Sequence, residues 1–297
     1  MKTRFITSIY IVLAVALAIA CKFLPYGIGN YIFDVFILSL TIVAGFEICN
    51  LLEKQNKPTN KIMVTIFCVV NYIVILLGLK FVNYSYLLFL QILTLIAYFV
   101  LVLIVEGIKT KNQPIKQNGK TALNTVTACM YPCLLFSLYL NINHIDGVSA
   151  QHFSTILIIL VIAITFLTDT FAYLVGRTFK GPKLAPKISP GKTISGSIGG
   201  LLGGIAGAML VFWLAHAPIF STILSMYNLA WWHFLIIGLV ASVFGQMGDL
   251  FESKIKRTSN VKDSGNIFPG HGGMLDRIDA MIFVVSVIYL VSMFIII

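Results

Sequence analysis

The sequence predicts an all-α fold: a polytopic integral membrane protein of about nine transmembrane helices, with its N-terminus inside the cell and its C-terminus outside. Three observations predict it. Hydrophobic residues make up 58% of the 297-residue chain and charged residues only 11%, against about 25% charged in an average soluble domain, and mean hydropathy is +0.94. Apolar runs long enough to span a bilayer, about 17–25 residues each, recur near 5–24, 31–52, 62–82, 84–105, 121–140, 153–176, 194–216, 230–250 and 278–297. With the N-terminus inside, the loops on that side hold 19 of the 21 Lys and Arg residues, and the other side holds only Lys22 and Lys80. A positive-inside bias of that size sets the orientation, and a missed or extra helix would scramble it. Most of the net charge of +10 is therefore topology. A basic inner face also attracts anionic lipid and nucleotide, and no nucleic-acid partner is expected.

Spans one to five, within residues 1–150, read as a scaffold. Lys2, Arg4, an apolar run and Ala18-Ile-Ala-Cys21 imitate a cleaved lipoprotein signal, but a first membrane helix explains the same residues. The loops at 53–61 and 106–120 are short, basic and rich in turn formers, as cytoplasmic connections are. Asp34 and Glu47 fall inside the second span, where a charge at the centre costs about 2.5–3.5 kcal/mol on insertion scales. Asp34 is expected at the outer interface; Glu47 belongs either near the inner interface or against a polar cavity. The five cysteines (Cys21, Cys49, Cys68, Cys129 and Cys133) lie in or at the ends of spans without metal-site spacing, and read as reduced packing residues. His144, Asp146 and His152 belong to an outer loop and read as solvated.

Spans six to nine, within residues 151–297, carry the chemistry. Asp169 stands in an apolar span about two turns from its inner end, so it should face a wet cavity, a cation, or a partner such as Arg177 or Lys192. The next segment, Phe179 to Gly200, contains three prolines that hold it extended, and Ser189-Pro-Gly-Lys-Thr193 is expected to open the seventh helix. A helix N-terminus with Lys187 and Lys192 beside it makes a seat for phosphate. It is not a P-loop, because Pro186 stands where the Walker pattern needs glycine, and no strand is expected before it. In the seventh span Gly196, Gly200 and Gly204 form one row and Gly199, Gly203 and Gly207 another, the small-residue spacing of close helix contact within a protomer or in a dimer. His216 and His233 lie away from this end, and Trp213, Trp231 and Trp232 suit an outer aromatic belt.

Residues 248–279 hold five of the eleven acidic residues, with five cations and five glycines, between two apolar runs. Ser253, Lys256, Arg257, Lys262, Asp263, Gly265, Phe268, Pro269, His271, Gly272, Gly273, Asp276, Arg277 and Asp279 occur there at spacings that resemble the signature of the phosphatidate cytidylyltransferases, also called CDP-diacylglycerol synthases. Fourteen specified positions are far more specific than a short motif. Asp169, Ala172, Tyr173, Gly176 and Phe179, followed by Ile188-Ser-Pro-Gly-Lys-Thr193 and Gly196, Gly199 and Gly200, resemble a second block of that family. One departure stands out: Ser195 occupies the place of a family glutamate. The resemblance covers roughly residues 165–279.

The resemblance implies transfer of the cytidylyl group of CTP to phosphatidate, with release of pyrophosphate. It also implies a magnesium-containing, two-cation centre held mainly by Asp249 and Asp276, with Asp263 and Asp279 in support, and a homodimer in the cell membrane with its active site at the cytoplasmic face. Asp249, Asp276, Lys192, Lys262, Arg277 and His271 are the catalytic candidates. Asp169, Lys187, Ser189, Thr193, Arg257, Gly272 and Gly273 are candidates for binding CTP, phosphatidate and the surrounding lipid. Cations are required because each pair of like unit charges at 4 Å costs about 4 kcal/mol at an effective dielectric of 20, and a phosphate monoester carries about −1.5 to −2. Two blander readings stand beside these. Asp276 and Asp279 would serve as helix caps, and His271 would steady a Gly-rich turn. The rival functions are a cytidylyltransferase for another lipid phosphate, a transporter of an anionic solute, and a catalytically silent assembly subunit. A transporter should show repeats in two halves, and none is visible.

Overall fold

The computed structural model describes residues 2–24, 27–82, 84–109, 115–145, 153–216, 229–268, 270 and 272–296. Among these, eight helices are long and apolar enough to cross a membrane, and the first helix carries a shorter apolar stretch, Ile9–Cys21. The all-α, multi-span class expected from hydropathy is what the chain adopts. It forms two compact units, Met1–Asn141 with Thr258–Arg277, and Ile142–Arg257 with Ile278–Ile297.

The first unit contains α1 (Lys2–Cys21), α2 (Ile28–Lys54), α3 (Lys61–Phe81), α4 (Leu87–Lys109) and α5 (Ile115–Ala128). Gly27, at φ 71°, stands at the start of α2, a conformation that glycine adopts without penalty. Asn60 caps α3 by accepting from the Met63 N–H at 3.2 Å, and its amide donates to Glu106 at 2.6 Å, which ties the 54–60 loop to α4. The fifth span is interrupted. A π-helical turn, Cys129–Leu134, contains Pro132, and Tyr131 is extended at φ −121° and ψ 119°. Proline has no N–H to continue the ladder, and regular helix resumes at α6 (Leu138–Asn143).

Several polar side chains inside this unit pair with one another, as hydrocarbon surroundings favour. Asn71 donates to Ser137 at 2.8 Å and Asn141 to Gln91 at 2.7 Å. Asp34, near the start of α2, is fully buried; α3 supplies the Tyr72 hydroxyl, which donates to it at 3.1 Å. Cys49, Cys68, Cys129 and Cys133 are free and buried, and Cys21 is free and half-buried.

The second unit contains α7 (Phe153–Phe179), a hairpin of β1 (Lys183–Ala185) and β2 (Ser189–Thr193), α8 (Ile194–Leu214), α9 (Trp231–Thr258, to Arg257) and α10 (Leu275–Ile296, from Ile278). The strands are antiparallel, with Lys183 opposite Thr193 and Ala185 opposite Ser189. This corrects two local expectations: Ser189 to Thr193 is a strand rather than the first turn of a helix, and a strand does precede it. Pro186 still separates it from a Walker loop. The helix starts only at Ile194, where Thr193 is the N-cap and accepts from the Gly196 N–H at 3.1 Å.

Both glycine rows of α8 are engaged inside this unit. A Cβ at Gly207 would lie 2.7 Å from the Ala163 carbonyl oxygen, and one at Gly203 would strike that of Leu167, so this row meets α7. On the other row, a Cβ at Gly196 would lie 2.8 Å from the Ala172 oxygen, and one at Gly204 would strike Ser242 of α9. Bulkier residues would hold the helices apart.

Candidate active site

In the second unit, charge collects around α9. The apolar run near 230–250 stops beside Asp249, yet the helix runs on to Thr258. Gly248 sets the geometry: a Cβ there would lie 2.7 Å from the Asp279 carbonyl oxygen and would strike the Phe283 ring, so only glycine lets α9 approach α10 this closely. The approach brings Asp249, Glu252 and Asp169 within electrostatic reach of Asp279. Lys192, from β2, pairs with Asp249 at 2.5 Å, and the two side chains remain 27% and 32% exposed, so solvent and solutes reach the pair. Glu252 is fully buried and pairs with Lys256 one turn on. One turn before Asp249, Gln246 exchanges hydrogen bonds with Ser197: the Ser197 hydroxyl donates at 2.6 Å, and Gln246 donates to the Ser197 carbonyl at 3.2 Å. Arg257 Nε donates to the Ile188 carbonyl at 3.2 Å, which fastens the hairpin to the end of α9.

In the first unit, the loop after α9 folds back onto the end of α2. Gln55 donates to Thr258 and Ser259 at 2.8 Å each, and the Ser259 hydroxyl donates to the Leu51 carbonyl at 2.9 Å. Phe268 and Gly272 form a one-pair bridge, with Gly272 at φ 81°. Asp276 Oδ2 accepts from the Ser264 N–H at 2.9 Å and the Gly273 N–H at 2.8 Å, and lies 3.0 Å from the Ser264 hydroxyl oxygen. The cap of α10 comes from elsewhere. Glu47 of α2 accepts from the N–H groups of Met274 at 2.9 Å and Leu275 at 2.8 Å. Glu47 is 3% exposed and is enclosed by these donors.

The remaining candidates divide by location. Lys187 at the hairpin turn, Lys262 and Asp263 in the loop, and Arg277 in the first turn of α10 are exposed. Asp169 is exposed on α7 and Ser189 half-buried on β2. Thr193 is buried and acts as a cap. Ser195, which replaces the family glutamate, donates to the Lys180 carbonyl and lies 3.1 Å from the Thr193 hydroxyl, so it stiffens the hairpin–helix junction. His271 lies outside the described residues, as do Pro269, Asp146 and His152. Sequence reasoning passed over Glu252, Ser264 and Gln246. Glu252 was findable, three residues after Asp249 and on the same helical face; Ser264 and Gln246 carry no local signal.

Magnesium suits the donor set in one specific way. Asp249 and Asp279 offer hard oxygen ligands, and Mg²⁺ commonly takes one or two carboxylates and completes its shell with water and substrate phosphate. Among the described residues, no group of three or more His, Cys, Asp and Glu side chains is disposed to hold a metal unaided. Among the described residues the donor set therefore fits an ion that shares its coordination with phosphate.

Fold and site together define a multi-span helical membrane protein with a lysine-paired carboxylate cluster and a glycine-rich charged loop. The model of the Cytidylyltransferase family matches residues 2–295, and the chain belongs to that family. It is similar to the phosphatidate cytidylyltransferase of Staphylococcus saprophyticus, 33% identical over 156 residues, 52% of this chain and 56% of the relative. It resembles the phosphatidate cytidylyltransferase of Bacillus subtilis, 33% over 162 residues, 54% and 55%, and that of Rickettsia conorii, 34% over 138 residues, 46% and 58%. The chain thus spans little more than half the length of the curated relatives it matches.

Proposed function

We propose that this chain transfers the cytidylyl group of CTP to phosphatidate, giving CDP-diacylglycerol and pyrophosphate, at the cytoplasmic face of the cell membrane. The observation that carries the reading is the 2.5 Å pair of Lys192 with Asp249. It joins the Ser189-to-Gly200 block to the carboxylate one turn before the C-terminal signature, and those are the two parts this chemistry needs together: a cation for phosphate and an oxygen donor for metal. The relatives' names support the same substrates, and the cation asymmetry of the loops supports the cytoplasmic placement.

In the reaction, an oxygen of the phosphatidate phosphate bonds to the α-phosphorus of CTP, and the bond from that phosphorus to the α–β bridging oxygen breaks, so pyrophosphate leaves with the electron pair. The residues serve by position and charge. In the second unit Lys192 exchanges Asp249 for a phosphate oxygen; in the first unit Lys262 and Arg277, exposed on the loop and on the first turn of α10, are cations for phosphate in their own right. Asp249 and Asp279 would hold magnesium, which supplies charge neutralisation of the triphosphate when bound. No covalent intermediate with the protein is required. The diacyl tails stay among the apolar helix faces, many of whose side chains are exposed, such as Phe89, Ile96 and Leu202. A homodimer would use a face other than the two glycine rows.

The test is product formation by the purified chain in mixed micelles with labelled CTP, phosphatidate and magnesium, beside Asp249→Asn. Magnesium-dependent CDP-diacylglycerol and pyrophosphate, lost in the variant, are expected. Product only from other lipid phosphates would replace phosphatidate as the substrate, and no product from any would overturn the transferase reading.

A further inference from the structure

Glu47 lies in the α2 segment Ile28–Lys54, remote in sequence from the signature, yet its carboxylate is the hub on which the signature loop is built. Its Oε1 takes the Met274 N–H at 2.9 Å; its Oε2 takes the Leu275 N–H at 2.8 Å and the Ser264 hydroxyl at 2.9 Å. The loop has been shaped to receive it. A Cβ at Gly273 would strike both Glu47 oxygens and the Ser264 hydroxyl, and a Cβ at Gly265 would strike Oε1. Two signature glycines, which phosphate contact would ordinarily explain, are thus also required to make room for a carboxylate from another helix.

The energetics agree. A carboxylate inside a span is costly, and Glu47 is 3% exposed. What offsets that cost is the start of α10: N–H groups at a helix N-terminus favour an anion, and bonds to a charged acceptor are about twice as strong as neutral ones. A carboxylate so saturated by backbone and hydroxyl donors has the coordination of a fixed internal anion, with its donors already chosen. It suits holding backbone, not binding substrate.

The fixing is relayed. The Ser264 hydroxyl, which meets Glu47, also lies 3.0 Å from Asp276 Oδ2, and that oxygen takes the Ser264 and Gly273 N–H groups. Glu47, Ser264 and Asp276 therefore form one connected set that orients the Asp276 carboxylate and the backbone carrying Lys262 and Arg277 on either side. We propose that Glu47 is a positioning residue of the cytidylyl transfer, acting through Ser264 and the first turn of α10 to hold Lys262, Asp276 and Arg277 where phosphate is bound. This rests on the transferase reading above.

The experiment compares wild type, Glu47→Gln, Glu47→Ala and Ser264→Ala with Asp34→Asn, which alters the other buried carboxylate of α2 without touching the loop. Two quantities are read: backbone hydrogen exchange at Gly273, Met274 and Leu275, and kcat and KM for CTP per folded molecule. Glu47→Gln keeps the side chain's size but sets an amide NH₂ against a backbone N–H. Expected are about tenfold to hundredfold faster exchange at those amides and a rise of about fivefold or more in KM for CTP, with Ser264→Ala smaller in the same direction. Asp34→Asn lowers thermal stability and moves neither. The KM change matters because a merely destabilised enzyme loses active molecules at unchanged KM. Unchanged exchange in the Glu47 variants, or altered exchange with wild-type KM and kcat, overturns the proposal, and Ser264→Ala decides it if neither Glu47 variant folds. If wild type itself makes no product, the transferase reading falls, and exchange alone shows whether the anchor exists.

Discussion

Glu47 and Asp249 are both carboxylates within long apolar helices, and they are satisfied in opposite ways. Glu47 is enclosed and takes its hydrogen bonds from two backbone N–H groups and a hydroxyl. Asp249 is about a third exposed, pairs with Lys192 and accepts from the Ser253 hydroxyl at 3.4 Å, with Asp279 in electrostatic reach. Backbone donors cannot leave without unfolding the loop; a lysine can swing from a carboxylate to a phosphate. The first arrangement builds a site, and the second can take part in chemistry.

The most forceful way to break this contrast is at Asp249. Asp249→Asn keeps the shape and removes the charge, and should lower kcat/KM by about 10³-fold or more, since charge stabilisation supplies most of the catalysis in this kind of transfer. Radiolabelled CDP-lipid formation measures it. Folding, followed by thermal unfolding in detergent, should change little, because Asp249 is only half-buried. A strong loss of stability would make Asp249 a second Glu47.

Lys192→Ala should cost less, about 10²-fold in kcat/KM, and the double variant with Asp249→Asn should fall little below Asp249→Asn alone. Groups that act as one unit are non-additive. Fully additive losses in the double-variant cycle would mean that the ion pair joins two independent roles.

What was legible in the sequence divides along the same line. The spans were legible because burial in lipid demands long apolar runs, and the catalytic candidates because charge is rare in such a chain. The continuation of α9 past Asp249 was hidden: Phe251 to Thr258 is amphipathic and charged, and reads as loop once the apolar run stops. The hairpin at 183–193 was hidden behind its prolines, which report extended backbone but not its partner. Glu47 was visible as an anomaly, a carboxylate in a span, but its partners are backbone N–H groups more than 200 residues away in the chain, and backbone donors leave no mark on composition. Asp276 was open to capping as well as metal binding. Its Oδ2 holds the loop, while the cap on α10 comes from Glu47.

Next in size is Gly248→Ala, expected to cost about 1–3 kcal/mol of stability, the usual range for overpacking a tight contact. The added Cβ would lie 2.7 Å from the Asp279 carbonyl oxygen, which belongs to a helix backbone and cannot yield as a flexible side chain would. Because relief requires α9 and α10 to separate, activity should fall along with the unfolding temperature.

The smallest effect is the most discriminating between kinds of glycine. Gly191 lies in β2 next to Lys192, and a Cβ built there meets nothing within 4 Å. Its φ is not positive, so alanine is accommodated without strain. Gly191→Ala should leave stability within about 0.5 kcal/mol of wild type. If the hairpin is where phosphate comes closest to backbone, as the pairing of Lys192 with Asp249 argues, the added methyl should still raise KM for CTP by a few-fold while kcat holds. A glycine that changes binding without changing stability is kept for the ligand. If neither quantity moves, phosphate is held by side chains alone, and the lysine that can leave Asp249 is the hairpin's whole contribution.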